Sequence, residues 1–151
     1  MAGEQGAILL VEGWGSDILL IEEAFKRAQI PNRLVIVRTG KEAVDYLEGN
    51  GEYSDRAHWP IPALLLLEPR LQRLDGFAVL QWLRERAEFD GVIAVVFTVN
   101  YESHNVNRAY ELGANSVLAK PADLKGLEEV CVLLVDFWLN HNVPAGLQNG
   151  A

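Results

Sequence analysis

Four polar side chains stand at the ends of apolar runs, and together they are the residues of this chain best suited to chemistry. Glu12 closes AILLVE, Glu68 closes ALLLLE, Thr98 follows VIAVVF, and Lys120 follows SVLA. Polar residues are common where a strand exits to water, so any one of the four is unremarkable. All four form an acid, acid, hydroxyl, amine pattern. An amine and a hydroxyl beside carboxylates can pair with them or neutralise an anionic group held among them. Glu68 is central, because Leu64 to Leu67 is a short, wholly apolar run that reads as a strand buried on both faces. Open parallel sheets place their working residues at the carboxyl ends of such strands.

The elements that must position these residues alternate along the chain. Ala7 to Glu12 reads as a strand. Gly13-Trp14-Gly15 is a turn, with Ser16 able to cap a helix over Asp17 to Ala28 on which Ile18, Ile21, Phe25 and Ala28 share a face. Pro31-Asn32 stops it. Arg33 to Val37 is a second strand, followed by a helix over Lys41 to Leu47 that ends at Gly49-Asn50-Gly51. A surface loop with Trp59 and two prolines leads to the central strand, Ala63 to Glu68. Asp75 caps a helix over Phe77 to Arg86, and Val92 to Phe97 is the next buried strand. Ser103 can cap Val106 to Leu112, with Gly113 suited to the position after that helix. Ser116 to Ala119 is a short strand, and Asp123 can cap a last helix running to about Leu139. Five strands alternating with five helices imply an α/β fold, with parallel βαβ units and helices on both sheet faces. No repeat, linker or composition break divides the chain. A single domain over 1–151 follows, with a folded core of about 7–141 and a polar tail over 142–151.

Composition narrows the function. The chain has 151 residues, of which 50% are hydrophobic, enough for one sizeable core. Thirteen basic against 21 acidic residues leave a net charge of −8, which argues against sequence-independent binding to nucleic acid or to an anionic membrane. No apolar stretch approaches the roughly 18 residues of a membrane span. The first residues, MAGEQGAILLVEG, lack the basic region of a secretory signal. Cys131 has no partner for an internal disulfide and reads as a core residue in a reducing compartment, so a cytoplasmic protein is expected. His58, His104 and His141 do not cluster as metal ligands.

With those residues in order, the chain resembles the response-regulator receiver family of two-component signalling. The resemblance runs from ILLVE at Ile8 to AKP at Ala119. EYSDRAHWPIP and FWLNHNVP look most like the small stand-alone regulators of bacterial phytochrome-type kinases. It implies a flavodoxin-like, doubly wound five-stranded parallel sheet in the order 2-1-3-4-5 with five helices. In the family, two acids after strand 1 and an aspartate after strand 3 bind Mg²⁺, and that aspartate accepts a phosphoryl group from a histidine kinase. A Thr or Ser and a Lys contact the phosphoryl group, and an aromatic residue on strand 5 reports the change. Thr98, Lys120 and Pro121 match, and the resemblance implies a cis peptide before Pro121.

The departures fall where the chemistry would be. Gly13 stands where the second acid belongs, Glu68 replaces the aspartate, and Val117 replaces the aromatic. Gln72 stands where a proline is expected, and Pro69 directly follows Glu68. Losing the acid at Gly13 removes a ligand from an Mg²⁺ site that has few, so the metal site is expected to be lost and no cofactor is assigned. The longer Glu68 carries its carboxylate to where an aspartyl-phosphate's oxygens would lie, within reach of Lys120 and Thr98. Pro69 pushes Glu68 toward extended backbone. Trp14 is a candidate cover for the pocket.

These features lead to a degenerate receiver, or pseudo-receiver. It is expected to be no enzyme and to act by protein–protein contact in a phosphorelay pathway. One alternative is a regulator still phosphorylated on Glu68 or on a nearby carboxylate such as Asp75. A second is a nucleotide-binding α/β enzyme, for which Gly13 and Gly15 supply two fingerprint glycines but Ile18 occupies the place of the third. The last helix carries more apolar residues than one sheet face needs. A homodimer through Val130, Leu134, Phe137 and Trp138 is expected from it. The resemblance implies that the first helix, with Glu22, Glu23, Lys26 and Arg27, is the docking face for a phytochrome-type sensor histidine kinase or another signalling protein.

Overall fold

In the computed structural model, which describes residues 6–99 and 101–144, five strands form one sheet in the order β2-β1-β3-β4-β5, with every neighbouring pair parallel. The strands are β1 (Ile8–Val11), β2 (Leu34–Val37), β3 (Leu64–Leu67), β4 (Ile93–Thr98) and β5 (Ser116–Ala119). The helices between and after them are α1 (Gly15–Arg27), α2 (Gly40–Glu48), α3 (Gly76–Arg84), α4 (Ser103–Glu111) and α5 (Leu124–Val135). The expected fold class and strand order are those observed. Residues 145–151, most of the expected tail, lie outside the described residues.

β3 sits in the centre and pairs with β1 on one side and β4 on the other, with Leu67 level with both Val11 and Val96. Alternating side chains go to opposite faces. Leu65 and Leu67 join one core under α2 and α3 with Val11, Val37, Tyr46 and Leu80. Leu64 and Leu66 join the other under α1 and α5 with Ile21, Phe25, Leu127 and Leu134. Covering both faces is what makes a run of four leucines stable as a strand. Each contributes roughly 1.5–3 kcal/mol of burial.

The helix starts differ from expectation at two places. Ser16 lies inside α1, because the Trp14 carbonyl already accepts from the Ile18 N–H at 3.0 Å. Ser103 likewise begins α4, and Glu102 occupies the cap position without a side-chain bond. Asp75 and Asp123 do cap α3 and α5, accepting from the backbone N–H groups of Ala78 and Gly126. Thr39 caps α2 through the Glu42 N–H. The loop before β3 is pinned by aromatic contact, Trp59 lying edge-on to Tyr46 and Tyr53 while Arg33 stacks over its ring at 4.6 Å.

α5 corrects the expected interface. Leu127, Cys131 and Leu134 recur at helical spacing and face the sheet, so Leu134 belongs to the protein's own core. Val130 and Trp138 are half-buried against the same core. The apolar residues left in solvent are Val132, Leu133 and Phe137, the last two 69% and 54% exposed. The chain continues past Val135 as widened, π-helical turns over Asp136–His141, where Phe137 packs edge-to-face on Trp138 at 4.8 Å. Burial pushes the Cys131 thiol up to about 12. A raised value means that its protonated form is favoured in the fold, an advantage present below the ordinary value of 9.0 and lost as pH rises through the folded one. Cys131 is therefore expected to resist a thiol reagent at pH 8 in native protein and to react at once in denaturant, as followed by absorbance. Rapid native labelling would contradict its burial.

Candidate functional site

The sheet register brings the strand-end residues together. The Glu68 N–H bonds to the Val11 carbonyl at 3.0 Å, the Glu12 N–H to Val37 at 3.1 Å, and the Lys120 N–H to Thr98 at 2.9 Å. Each side chain therefore leaves the edge from a strand held by its neighbour. All four are buried, with Glu12 1%, Glu68 2%, Thr98 2% and Lys120 8% exposed.

Lys120 is the hub. An ammonium has three N–H donors. Its Nζ pairs with Glu12 Oε1 in a very short contact, with Asp17 Oδ2 at 3.0 Å and with Glu68 Oε2 at 3.3 Å. Asp17 reaches in from the first turn of α1. The other Glu68 oxygen, Oε1, accepts from Thr98 Oγ1 at 3.2 Å and from the Arg70 N–H at 3.2 Å, with Arg70 Nε 3.8 Å away. The other Glu12 oxygen accepts from the Trp14 N–H at 3.1 Å. Both oxygens of both buried glutamates are thus engaged, and three carboxylates share one amine.

The electrostatics follow from burial and pairing. Burial pushes the Glu12 carboxyl up, opposed by its hydrogen bond to Lys120 and that ammonium's charge. Burial alone would pull the Lys120 ammonium down. The hydrogen bond and charge of Glu12, then Asp17 and Glu68, outweigh it and hold Lys120 above its ordinary range.

The turn from β3 to α3 shapes the pocket rim. Gly76 packs where a Cβ would stand 2.5 Å from the Glu68 carbonyl oxygen, so only glycine lets α3 begin so close. Arg73 and Leu74 adopt left-handed backbone, with φ of 51° and 85°. Such strain persists where surrounding contacts fix it. Here the Lys41 N–H at the start of α2 donates to the Arg73 carbonyl at 2.9 Å, and Gly40 approaches Leu74 too closely for any side chain.

Three expectations meet different outcomes. Lys120–Pro121 is trans, correcting the expected cis bond, and among the described residues no peptide is cis. Trans is the form that X–Pro bonds prefer by about 0.5–1 kcal/mol. Trp14 does not close the pocket. It is 58% exposed and lines one wall of an open cleft. Val117 lies half-buried on α4's side of the sheet, and its N–H donates to the Tyr110 hydroxyl at 3.1 Å. Sequence reasoning missed Asp17, Arg70 and Tyr110. Asp17 had one readable signal, an acid in the first turn of the helix that follows Glu12.

A cleft that Thr98 also lines, beside the buried carboxylates, has a volume of about 930 Å³. Gly13, Trp14, Pro69, Leu71 and Phe77 line it, with Arg38, Arg70 and Arg108 among the polar residues. Among the described residues, no group of three or more His, Cys, Asp or Glu side chains is arranged to hold a metal ion, and no helix is long and apolar enough to cross a membrane.

The same arrangement of elements occurs in known proteins. Response regulator Rcp1 of Synechocystis is 34% identical over 132 residues, spanning 87% of this chain and 88% of that one. The crystal structure of response regulator RPA3017, described in red light signaling of R. palustris, superposes with a TM-score of 0.87 at 30% identity, covering 94% of this chain and 99% of that one. The phosphorylated cyanobacterial phytochrome response regulator RcpA superposes with a TM-score of 0.84, also at 30% identity and with the same coverage. The response regulator receiver domain matches residues 8–131, and the chain belongs to that family, as a receiver-domain response regulator of two-component signalling.

Proposed function

We propose that this receiver signals through protein–protein contact without phosphoryl transfer, its Glu68 carboxylate standing in for the group that other receivers acquire. The observation that carries this reading is the use of Lys120. All three of its donors go to Glu12, Asp17 and Glu68. Thr98 donates to the same Glu68 carboxylate. By the family resemblance, Thr98 and Lys120 are the two groups that contact a phosphoryl group, and here both already hold a carboxylate. In-line attack on phosphorus needs a free, aligned oxygen, and a displacement of about 1 Å costs on the order of 100-fold.

The residues present do not fit a divalent cation. Mg²⁺ takes hard oxygen ligands in near-octahedral geometry. The position of one acid is Gly13, and the Glu12 and Glu68 oxygens face the Lys120 ammonium, which supplies the positive charge in the metal's stead. Titrating Mg²⁺ into the millimolar range while recording amide NMR shifts is expected to leave Glu12, Gly13, Glu68 and Arg70 in place. Saturable shifts confined to those amides would restore a metal site and weaken the proposal.

A second reading, phosphorylation on Glu68 itself, draws on the relatives, since RcpA is described as phosphorylated and Rcp1 has a structure in its Mn²⁺-bound form. Asp75 is a poorer acceptor candidate because its carboxylate caps α3 at the Ala78 N–H, 2.9 Å away.

The partners follow from the same reading. RcpA is described as a cyanobacterial phytochrome response regulator, and RtBRR and AtBRR as bacteriophytochrome response regulators, so a phytochrome-type sensor kinase in the cytoplasm is the proposed partner. Its docking face would be α1, where Glu22, Lys26 and Arg27 are exposed beside Leu19. A homodimer through Val132, Leu133 and Phe137 of α5 would cover the apolar face left in solvent. Light scattering at micromolar concentration is expected to give twice the chain mass, and Leu133→Asp with Phe137→Asp the single-chain mass. A wild-type monomer would remove the dimer from the proposal.

A further inference from the structure

Three arginines stand beside the site, and of these Arg70 contacts the carboxylate cluster, at Glu68. Arg38 follows β2, Arg70 follows β3 and Arg108 belongs to α4, and the three line one cleft in a chain whose net charge is −8. Asp75 is the one carboxylate in that lining. A guanidinium has five N–H donors, and few are used here. Arg38 donates one bond, to the Gly13 carbonyl at 3.2 Å. Arg70 lies 3.8 Å from Glu68 and is largely exposed. The guanidinium of Arg108 rests 4.5 Å from the centre of the Phe77 ring. All three belong to the lining of the same cleft. The planar fork of arginine matches phosphate oxygens in a bidentate fashion.

The remainder of the lining adds a second specificity. Trp14 projects an exposed indole into the same cleft, and Leu71, Phe77 and Pro69 give it apolar walls. An exposed indole face is a stacking platform for a flat ring. A volume of about 930 Å³ lies within the range of small-ligand pockets. From this juxtaposition of an exposed indole and three arginines in one cleft, we infer that the protein binds a nucleotide, with the base on Trp14 and the phosphates on Arg38, Arg70 and Arg108. The nucleotide is a bound effector. Since Glu12, Asp17 and Glu68 are held by Lys120, no step of hydrolysis is attached to it. The inference stands apart from the proposed function, because it requires neither the presence nor the loss of phosphoryl transfer.

An ordinary alternative is that the arginines merely balance the acids beneath them. Calorimetry on the full chain in buffer containing a metal chelator separates the two, with ADP as the probe and adenosine and pyrophosphate as its fragments. Saturable ADP binding is expected, accompanied by quenched tryptophan emission. Arg70→Gln and Arg108→Gln, both at exposed positions, are each expected to weaken it about ten- to a hundredfold, the range for hydrogen bonds to charged groups. Trp14→Leu is expected to weaken ADP and adenosine while leaving pyrophosphate unchanged. No saturable binding at millimolar ADP would overturn the inference. Equal affinity in the arginine variants would overturn it too. Pyrophosphate binding as tight as ADP, with Trp14→Leu indifferent, would reduce the cleft to an anion site and overturn the assignment of a nucleotide.

Discussion

Lys120→Met is expected to destabilise the protein by about 3–5 kcal/mol in chemical denaturation, the cost of removing one partner from a buried ion pair. The size follows from what is left behind. Glu12 and Glu68 are almost fully buried and would lose their shared cation, and Asp17 would lose its partner. Adding Glu12→Gln and Glu68→Gln to Lys120→Met removes the stranded charges, so this triple variant is expected to recover most of the loss. The sign of the pH dependence is also fixed. In the wild type, Lys120 sits above its ordinary value of 10.5, so its contribution is fully present below that value and is lost as pH rises through the higher folded one. In Lys120→Met the Glu12 carboxyl keeps the burial that raises it and loses the Lys120 hydrogen bond and charge that oppose that rise. Protonation of Glu12 therefore favours the folded variant, which is expected to be more stable at pH 5 than at pH 8. A loss below about 1 kcal/mol, the range of an exposed pair, would mean that the three carboxylates do not depend on Lys120.

Gly13→Asp combined with Glu68→Asp is expected to create phosphoryl acceptance, which the proposed function denies to the wild type. The first change supplies the absent acid. A Cβ at Gly13 would meet the Arg38 carbonyl oxygen at 3.2 Å and Leu71 Cδ2 at 3.9 Å, a tight fit that a small backbone shift accommodates. The second change withdraws the carboxylate by one methylene, out of reach of its present bond to Lys120 Nζ at 3.3 Å. Lys120 and Thr98 then become available to an incoming phosphoryl group, and Mg²⁺ gains an acid ligand. Gly13→Asp alone is expected to add little, because Glu68 still holds Lys120. If the double variant stays inert, a further element, such as Pro69 or Gln72 in the turn after Glu68, limits the chemistry.

Much of this was legible in the sequence because it rests on local pattern. LLLL ending at Glu68 has no polar alternation, and only a strand covered on both faces tolerates that. The four strand-end residues were legible for the same reason, since parallel pairing brings equivalent ends to one edge. Asp17 was not, because its reach to Lys120 depends on how α1 docks across the sheet edge beside α5. The three arginines come from three separate segments, and no spacing rule links them. On α5 the composition announced surplus apolar residues without saying which were surplus. Leu134 turned inward and Leu133 outward, a difference of one position around the helix. Ser16 and Ser103 looked like caps by residue type, yet in each case the helix begins at or before the serine.

Intact-mass spectrometry of the wild-type protein after incubation with Mg²⁺ and acetyl phosphate tests the central claim most directly, with the Gly13→Asp, Glu68→Asp variant alongside as the positive control. The account predicts an unchanged wild-type mass and unchanged tryptophan emission, with one phosphoryl group added to the variant. A phosphoryl group on the wild type, mapped to Glu68, would contradict it, because Glu68 would then be an acceptor rather than a permanent occupant of the place that Lys120 and Thr98 hold.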